Sequence, residues 1–80
     1  MVKVLLFGHL ADRAGWRERE MDFTGTLSAL TELLSMADTR LAASLVAPGV
    51  RAAVNHTISA EDTALKSGDE IAFLPIYSGG

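Results

Sequence analysis

The sequence contains no cysteine in its 80 residues. Disulfide bridges, thiolate metal sites and a cysteine nucleophile are therefore excluded together. Only two histidines are present, His9 and His56, and neither has a second histidine at the spacing of a shared metal site. Outside Gly79-Gly80 the glycines stand singly, so the sequence also lacks a phosphate-binding glycine loop. We expect this chain to bind no metal and no cofactor of its own.

Basic residues are in the minority, and long apolar runs are missing. Seven lysines and arginines are outnumbered by ten aspartates and glutamates, which gives a formal net charge of −3. This balance argues against nucleic acid as a partner, because phosphates attract a basic surface. No apolar run approaches the roughly 20 residues that cross a bilayer, and the first residues do not resemble a signal peptide. We therefore expect no membrane partner and a cytoplasmic location.

The hydrophobic pattern predicts a single α+β domain over residues 1–80. Apolar runs of strand length alternate with one longer amphipathic stretch, and turn residues separate them. The predicted elements are, in chain order, a strand over 2–7, a helical turn over 10–14 ending at Gly15, a strand over 16–23 antiparallel to the first, a main helix from the N-cap Thr26 to about Ala37, a short helix after Asp38, a strand over 50–54, a reversal at Asn55-His56 and a final strand over 71–74. This order suits a mixed sheet with one helix across a face.

Two stretches of the pattern also predict which side chains form the core. In the first strand both faces carry apolar residues, with Val4 on one face and Leu5 and Phe7 on the other, so we expect a central strand buried on both sides. In the helices the leucines fall on stripes at helical spacing and should pack on the sheet. The helical core residues predicted in this way are Leu27, Leu30, Leu33, Leu34, Leu41, Leu45 and Val46.

The C-terminal stretch is predicted to leave the sheet. Pro75 has no backbone N–H and a fixed φ, so strand pairing should stop there and residues 75–80 should form an extended tail. A segment of this length spans at most about 20 Å and can reach into a partner's active site. Gly79 and Gly80 have no side chains that do chemistry. Any function at these residues must therefore lie in the backbone and the terminal carboxylate.

The same stretch, with support from upstream, resembles a known family. The residues that carry the resemblance are Leu65, Gly68-Asp69-Glu70, Ala72-Phe73, Pro75 and Gly79-Gly80, together with the opening strand over 2–7 and Ala53-Val54-Asn55 followed by Thr57. They are similar to the molybdopterin synthase small subunits, a family of ubiquitin-like sulfur carriers. The resemblance implies a β-grasp, or ubiquitin-like, fold with a mixed sheet of four to five strands and one main helix packed across a face.

The resemblance also implies a function for the end of the chain. The carboxylate of Gly80, which follows Gly79, would be adenylated by an ATP-using partner and converted to a thiocarboxylate. It would then donate sulfur to a cyclic pterin precursor in molybdenum cofactor biosynthesis. ATP is accordingly expected to be used by the activating partner and not bound by this chain. The chain itself would be the sulfur-donating subunit of a sulfurtransferase complex and would not be catalytic alone.

The apolar run before the two glycines is predicted to contact a partner, because it is longer than a terminal strand needs for its own core. The residues assigned to this contact are Phe73, Leu74, Pro75, Ile76, Tyr77 and Ser78. The resemblance implies two partners, namely the large subunit of molybdopterin synthase and an ATP-dependent adenylating and sulfurating enzyme. Ile76 and Tyr77 depart from the family, in which a second proline and a smaller aliphatic residue are common at these positions.

Three other functions remain open at this point. A sulfur carrier for thiamine synthesis or another pathway would share Gly79-Gly80 and the activation step. A ubiquitin-like protein modifier would instead end as an amide between Gly80 and a target lysine. A plain interaction domain would use its end for no chemistry. The Ala72-Phe73-Leu74-Pro75 context favours the pterin route.

Overall fold

The computed structural model describes residues 1–58 and 62–75 of the chain. Its elements are, in order, β1 (Val2–Leu6), α1 (His9–Ala14), β2 (Glu18–Met21), β3 (Gly25–Thr26), α2 (Leu27–Ala37), α3 (Thr39–Leu45), β4 (Val50–Val54), β5 (Thr57–Ile58), β6 (Ala64–Leu65) and β7 (Glu70–Pro75). Five strands form one sheet in the order β2-β1-β7-β4-β5, and β3 pairs with β6 in a separate two-stranded sheet. The predicted mixed sheet with one main helix is confirmed.

The centre of the sheet is β7, the last strand among the described residues. It pairs parallel with β1, placing Val4 opposite Ile71, and antiparallel with β4, placing Ala52 opposite Phe73. A parallel pair needs a long crossover between its strands, and here almost the whole chain separates β1 from β7. β1 is an interior strand as predicted, but the central position belongs to β7.

The core lies between the sheet and the helices. Alternate residues of β1 and β7 turn their side chains toward the helices, as the two-residue period of a strand requires. The buried core side chains are Val2, Val4, Leu6, Leu10, Ala11, Ala14, Leu27, Leu30, Leu34, Leu41, Leu45, Leu65, Ile71 and Phe73. Most of the predicted helical leucines are therefore confirmed as core residues.

Local signals in the sequence determine where the helices begin and end. The Thr26 side chain accepts a hydrogen bond from the Ala29 backbone N–H at 3.2 Å, and Asp38 accepts one from Arg40 N–H at 2.9 Å. Each bond satisfies a backbone donor that the first turn of a helix leaves without an intrahelical acceptor. Gly15 follows α1 in the left-handed conformation with φ of 83°. Both predicted N-caps and the predicted stop at Gly15 are confirmed.

Two helical core predictions are wrong. Leu33 is 42% exposed and Val46 is 73% exposed. Leu30 and Leu34 lie four residues apart on the buried stripe of α2, and Leu33 lies at its margin. Val46 is the C-cap residue after α3, where the helix has ended and its side chain no longer follows the helical stripe.

The prediction that β1 is buried on both faces is also wrong. Val2, Val4 and Leu6 are buried under the helices, whereas Leu5 is half-buried and Phe7 is 44% exposed. No helix covers this second face in the part of the chain that the structure describes. We call it the open face of the sheet.

The strand β7 continues one residue further than predicted. Pro75 is the last residue of β7 and lies opposite Val50 of β4. Proline has no backbone N–H and cannot donate a hydrogen bond to the neighbouring strand. At the end of a strand this missing bond does not interrupt the ladder. Pro75 therefore belongs to the sheet and not to the predicted tail 75–80, and the rest of that tail, residues 76–80, lies outside the described residues.

The β4–β5 reversal is a tight turn at two residues with positive φ, Asn55 (50°) and His56 (73°). It is fastened to the start of β7. Asn55 Nδ2 donates to Asp69 Oδ1 at 2.9 Å, Glu70 N donates to Asn55 Oδ1 at 2.9 Å, and Asn55 N donates to Glu70 O at 2.8 Å. The hydrogen bond from the Asn55 amide, with a second from Lys66 N–H, lowers the pKa of Asp69 below its ordinary value.

None of the described helices is both long and apolar enough to cross a membrane.

Candidate functional site

The predicted chemical group lies at the very end of the chain, beyond the described residues. Gly79 and Gly80 belong to this part, and so do the predicted partner contacts Ile76, Tyr77 and Ser78. What the structure does establish is the place from which this segment starts. It follows Pro75, the last residue of the central strand β7.

The base of the C-terminal segment packs against the loop after β1. Phe7 N–H donates to Phe73 O at 3.1 Å. The next residue, Gly8, has a φ of 59°, and a Cβ added there would lie 2.9 Å from Cγ of Pro75. Only glycine combines this backbone conformation with so close an approach. The loop after β1 therefore fixes the position of Pro75 and hence the point where residues 76–80 begin.

The three predicted partner contacts within the described residues differ in accessibility. Phe73 is 2% exposed and faces the helices, so its assignment to a partner surface is wrong. The period of two in a strand turns its neighbours the other way, and Leu74 is half-buried on the open face. Pro75 is also half-buried. Leu74 and Pro75 can contact a partner, whereas Phe73 stabilises this domain.

The open face carries a contiguous apolar surface, which we call the open-face patch. Its members come from the four adjacent strands β1, β7, β4 and β5 and from the residue after β1. They are Leu5, Phe7, Ile58, Ala72 and Leu74, and the buried Ala53 lies among them. They line a shallow concavity of about 320 Å³ together with His56 and Glu70. A contiguous apolar surface rimmed by polar residues is a feature of protein docking sites.

Charged side chains surround the open-face patch. Lys3 Nζ lies 3.9 Å from Glu18 Oε2, and His56 Nε2 lies 3.7 Å from Glu70 Oε1. The first is an exposed ion pair, which contributes little to stability because solvent screens it, and the second is ionic only when His56 is protonated. They form the kind of polar rim that surrounds the apolar centre of a protein interface.

The open-face patch and the C-terminal segment are close enough for one partner to contact both. Leu74 belongs to the patch and is adjacent in sequence to Pro75, where the described chain ends. From Glu70 at the far rim to Pro75, β7 extends for about 16 Å at 3.3 Å per residue. A single surface of ordinary interface size covers such a length.

A larger concavity, of about 500 Å³, lies on the helical side of the sheet. Residues that line it include Leu27, Thr31, Val46 and Phe73. Phe73 is adjacent to Leu74 but points to the opposite face, so this groove opens away from the open-face patch. Nowhere in the stretches 1–58 and 62–75 do three histidine, aspartate or glutamate side chains group as ligands of a metal ion would.

Sequence reasoning missed the patch residues Leu5, Phe7, Ile58 and His56 as a surface. The signal that could have identified them is Lys3, which shares the open face of β1 with Leu5 and Phe7. A lysine in alternation with two apolar residues indicates a face in contact with solvent.

These features define a class of protein: a small ubiquitin-like β-grasp domain whose central strand leads directly into the C-terminal segment, beside an uncovered apolar face. The model of the ThiS family matches residues 4–80, and this chain belongs to the ThiS family. The molybdopterin synthase sulfur carrier subunit of Escherichia coli (strain K12) is 37% identical, and that of Haemophilus influenzae is 34% identical, each over 100% of both chains. Among solved structures, SAMP1 from Haloferax volcanii has a TM-score of 0.79 and 26% identity, covering 99% of this chain and 98% of its own.

Proposed function

We propose that this chain is the sulfur-carrier subunit of a molybdopterin synthase. The observation that supports this most directly is the full-length similarity, at 37% and 34% identity, to two proteins of that name. The structure is compatible with the role, because it presents a folded domain whose central strand ends at Pro75, and the sequence continues from there to Gly79-Gly80. The sulfur would be transferred to a cyclic pterin precursor in molybdenum cofactor biosynthesis.

The reactive group in this proposal is the carboxylate of Gly80. A C-terminal carboxyl group has a pKa of about 3.3–3.7 and is ionised at neutral pH, which makes it a poor electrophile. A partner enzyme would join a carboxylate oxygen to the α-phosphorus of ATP and release pyrophosphate. Sulfur at the oxidation level of sulfide would then attack the carbonyl carbon and expel AMP, leaving a thiocarboxylate. This route needs no cysteine in the chain, which has none.

The proposed partner for sulfur transfer is the large subunit of molybdopterin synthase. It would cover the open-face patch and receive residues 76–80 in its active site, with Leu74 and Pro75 at the junction. Tyr77 remains a predicted partner contact, and we expect it to be an anchor of the interface, since aromatic residues are frequent among energetic hot spots. In this proposal the domain positions the C-terminal segment, and the partner catalyses the transfer of sulfur.

The proposal includes a location in the cytoplasm. The activation step consumes ATP and uses a second protein, and both must be present where the chain is loaded with sulfur. No cofactor is assigned to this chain, and ATP belongs to the activating enzyme.

The test is the intact mass of the full chain after incubation with the adenylating enzyme, ATP and a sulfide donor. The proposal requires the mass shift of one oxygen replaced by sulfur, localised to Gly80, and subsequent loss of that sulfur when the large subunit and the pterin precursor are added. The matched control is the chain extended by one residue after Gly80, which displaces the reactive carbonyl by about 3.3–3.6 Å. The extended chain should fold normally and transfer no sulfur. Transfer at the wild-type rate by the extended chain would refute the role of Gly80.

A second candidate function is protein modification. It is favoured by the similarity, at 26% identity, to SAMP1 from Haloferax volcanii, which is a small archaeal modifier protein. In that case the activated carbonyl of Gly80 would be attacked by a lysine amine, and an amide conjugate would result. The two functions are separated by the product. A thiocarboxylate is recovered as the free domain of altered mass, whereas a conjugate has the added mass of a second protein and survives reductant.

A further inference from the structure

The β4–β5 turn contains a residue that its backbone conformation does not favour. A two-residue hairpin turn with positive φ at both positions is the type in which Asn-Gly is the preferred pair. Asn55 fits the first position, because asparagine tolerates the left-handed region. His56 occupies the second position with φ of 73°, where any residue with a Cβ is less favourable than glycine. Glycine would fit this position without strain.

The imidazole of His56 does little for the fold that contains it. The three hydrogen bonds that fasten the turn to Asp69 and Glu70 use the Asn55 side chain and backbone groups, and none uses the imidazole. The contact that the structure shows for the ring is with the Glu70 carboxylate at 3.7 Å, and the His56 side chain is 84% exposed. An exposed pair at this distance is worth little in stability.

The place of His56 indicates what the side chain is for. It lines the same concavity as Leu5, Phe7, Ile58 and Leu74, at the rim formed with Glu70. Glu70 begins β7 and Pro75 ends it, so His56 lies at the end of the open-face patch that is remote from the C-terminal segment. A partner that holds the C-terminal segment and also reaches His56 must cover the whole length of the patch.

We propose that His56 is a contact residue for the large subunit, held at the far rim of the open-face patch at the expense of backbone strain. This inference rests on the proposed function and adds to it the extent of the interface and a residue that selects the partner. The partner would present a polar group within hydrogen-bond distance of the imidazole, beyond an apolar area that covers Leu5 and Phe7. The strain is tolerated because Asn55, Asp69 and Glu70 hold the turn without help from the imidazole.

The experiment compares His56→Gly and His56→Ala in the full chain. Both remove the imidazole, but only glycine relieves the strain. His56→Gly should raise the melting temperature by about 4–8 °C, whereas His56→Ala should not raise it. Both variants should bind the large subunit about tenfold more weakly in calorimetry, the loss expected for one interfacial hydrogen bond. Arg13→Ala, on the exposed side of α1, is the control and should bind as the wild type does.

A stabilised His56→Gly variant that binds the large subunit with wild-type affinity would overturn the inference. A lower melting temperature for His56→Gly would also overturn it, since the imidazole would then serve the fold. Failure of the proposed function has a different signature: the wild-type chain itself would neither bind the large subunit nor yield a thiocarboxylate at Gly80. If the wild type does both, the result with His56→Gly decides this inference alone.

Discussion

At the scale of single residues, side-chain direction separates the correct predictions from the wrong ones. Leu30 and Leu34 were predicted to be buried and are, whereas Leu33 is exposed although it belongs to the same leucine-rich sequence. Phe73 and Leu74 are adjacent in sequence, but the side chain of Phe73 lies in the core and that of Leu74 lies on the open face. Hydrophobicity identifies apolar residues from the sequence, but the boundary between two faces depends on what packs against each of them.

The contrast between Leu30 and Leu33 leads to a stability prediction. Leu30→Ala should lower the free energy of unfolding by about 2–5 kcal/mol, because it leaves a cavity in the core. Leu33→Ala should cost at most about 1 kcal/mol, since much of its side chain is already in water. Urea unfolding of both variants measures the difference. Equal losses would mean that Leu33 is buried in solution.

The lowered pKa of Asp69 predicts a dependence of stability on pH. In the unfolded chain this carboxylate titrates near 3.9, and in the folded chain it titrates at a lower pH because Asn55 and the Lys66 N–H stabilise its charge. The contribution is therefore fully present above the unfolded pKa and is lost as pH falls through the folded one. Unfolding titrations from pH 7 to pH 2 should show that Asp69→Asn loses less stability on acidification than the wild type. Parallel pH profiles for the two proteins would contradict this account.

At the scale of elements, local signals predicted most of the helices and strands. The caps at Thr26 and Asp38 and the stop at Gly15 were confirmed because each depends on hydrogen bonds within a few residues. The short pair β3–β6 was not predicted, because two residues per strand give no periodicity to detect. The parallel pairing of β1 with β7 was equally beyond local patterns, and the family resemblance supplied the fold instead.

At the scale of the whole molecule, the proposed docking surface, the open-face patch, exists only in the assembled sheet. The open-face patch combines residues from β1, β4, β5 and β7, which are distant in sequence. For the candidate site, the sequence predicted the reactive group at Gly79-Gly80 and the contact residues Leu74 and Pro75 that precede it. It could not predict the docking face, because that face depends on strand order and on the side that the helices cover.

The open-face patch predicts a selective effect on binding. Phe7→Ala should weaken binding of the large subunit by about tenfold or more, as expected for an aromatic side chain near the centre of an interface. Met36→Ala is the control, because Met36 is an apolar residue on α2, on the helical side of the sheet, and is even more exposed than Phe7, at 76% against 44%. It should change the affinity by less than about twofold. Calorimetric titration of the full chains with the large subunit measures both, and equal weakening would contradict docking at the open face.

The central position of β7 has a consequence for how the chain is made. Both β1 and β4 pair with this strand, yet it leaves the ribosome after both of them. Until it emerges, β1 and β4 each lack a neighbour, and the sheet cannot close around its middle. Contacts between residues so distant in sequence also form slowly. A chain cut short before residue 70 would retain two unpaired strand edges, which are prone to aggregate, and would be a ready substrate for proteolysis. The topology thus makes completion of the five-stranded sheet depend on synthesis of β7.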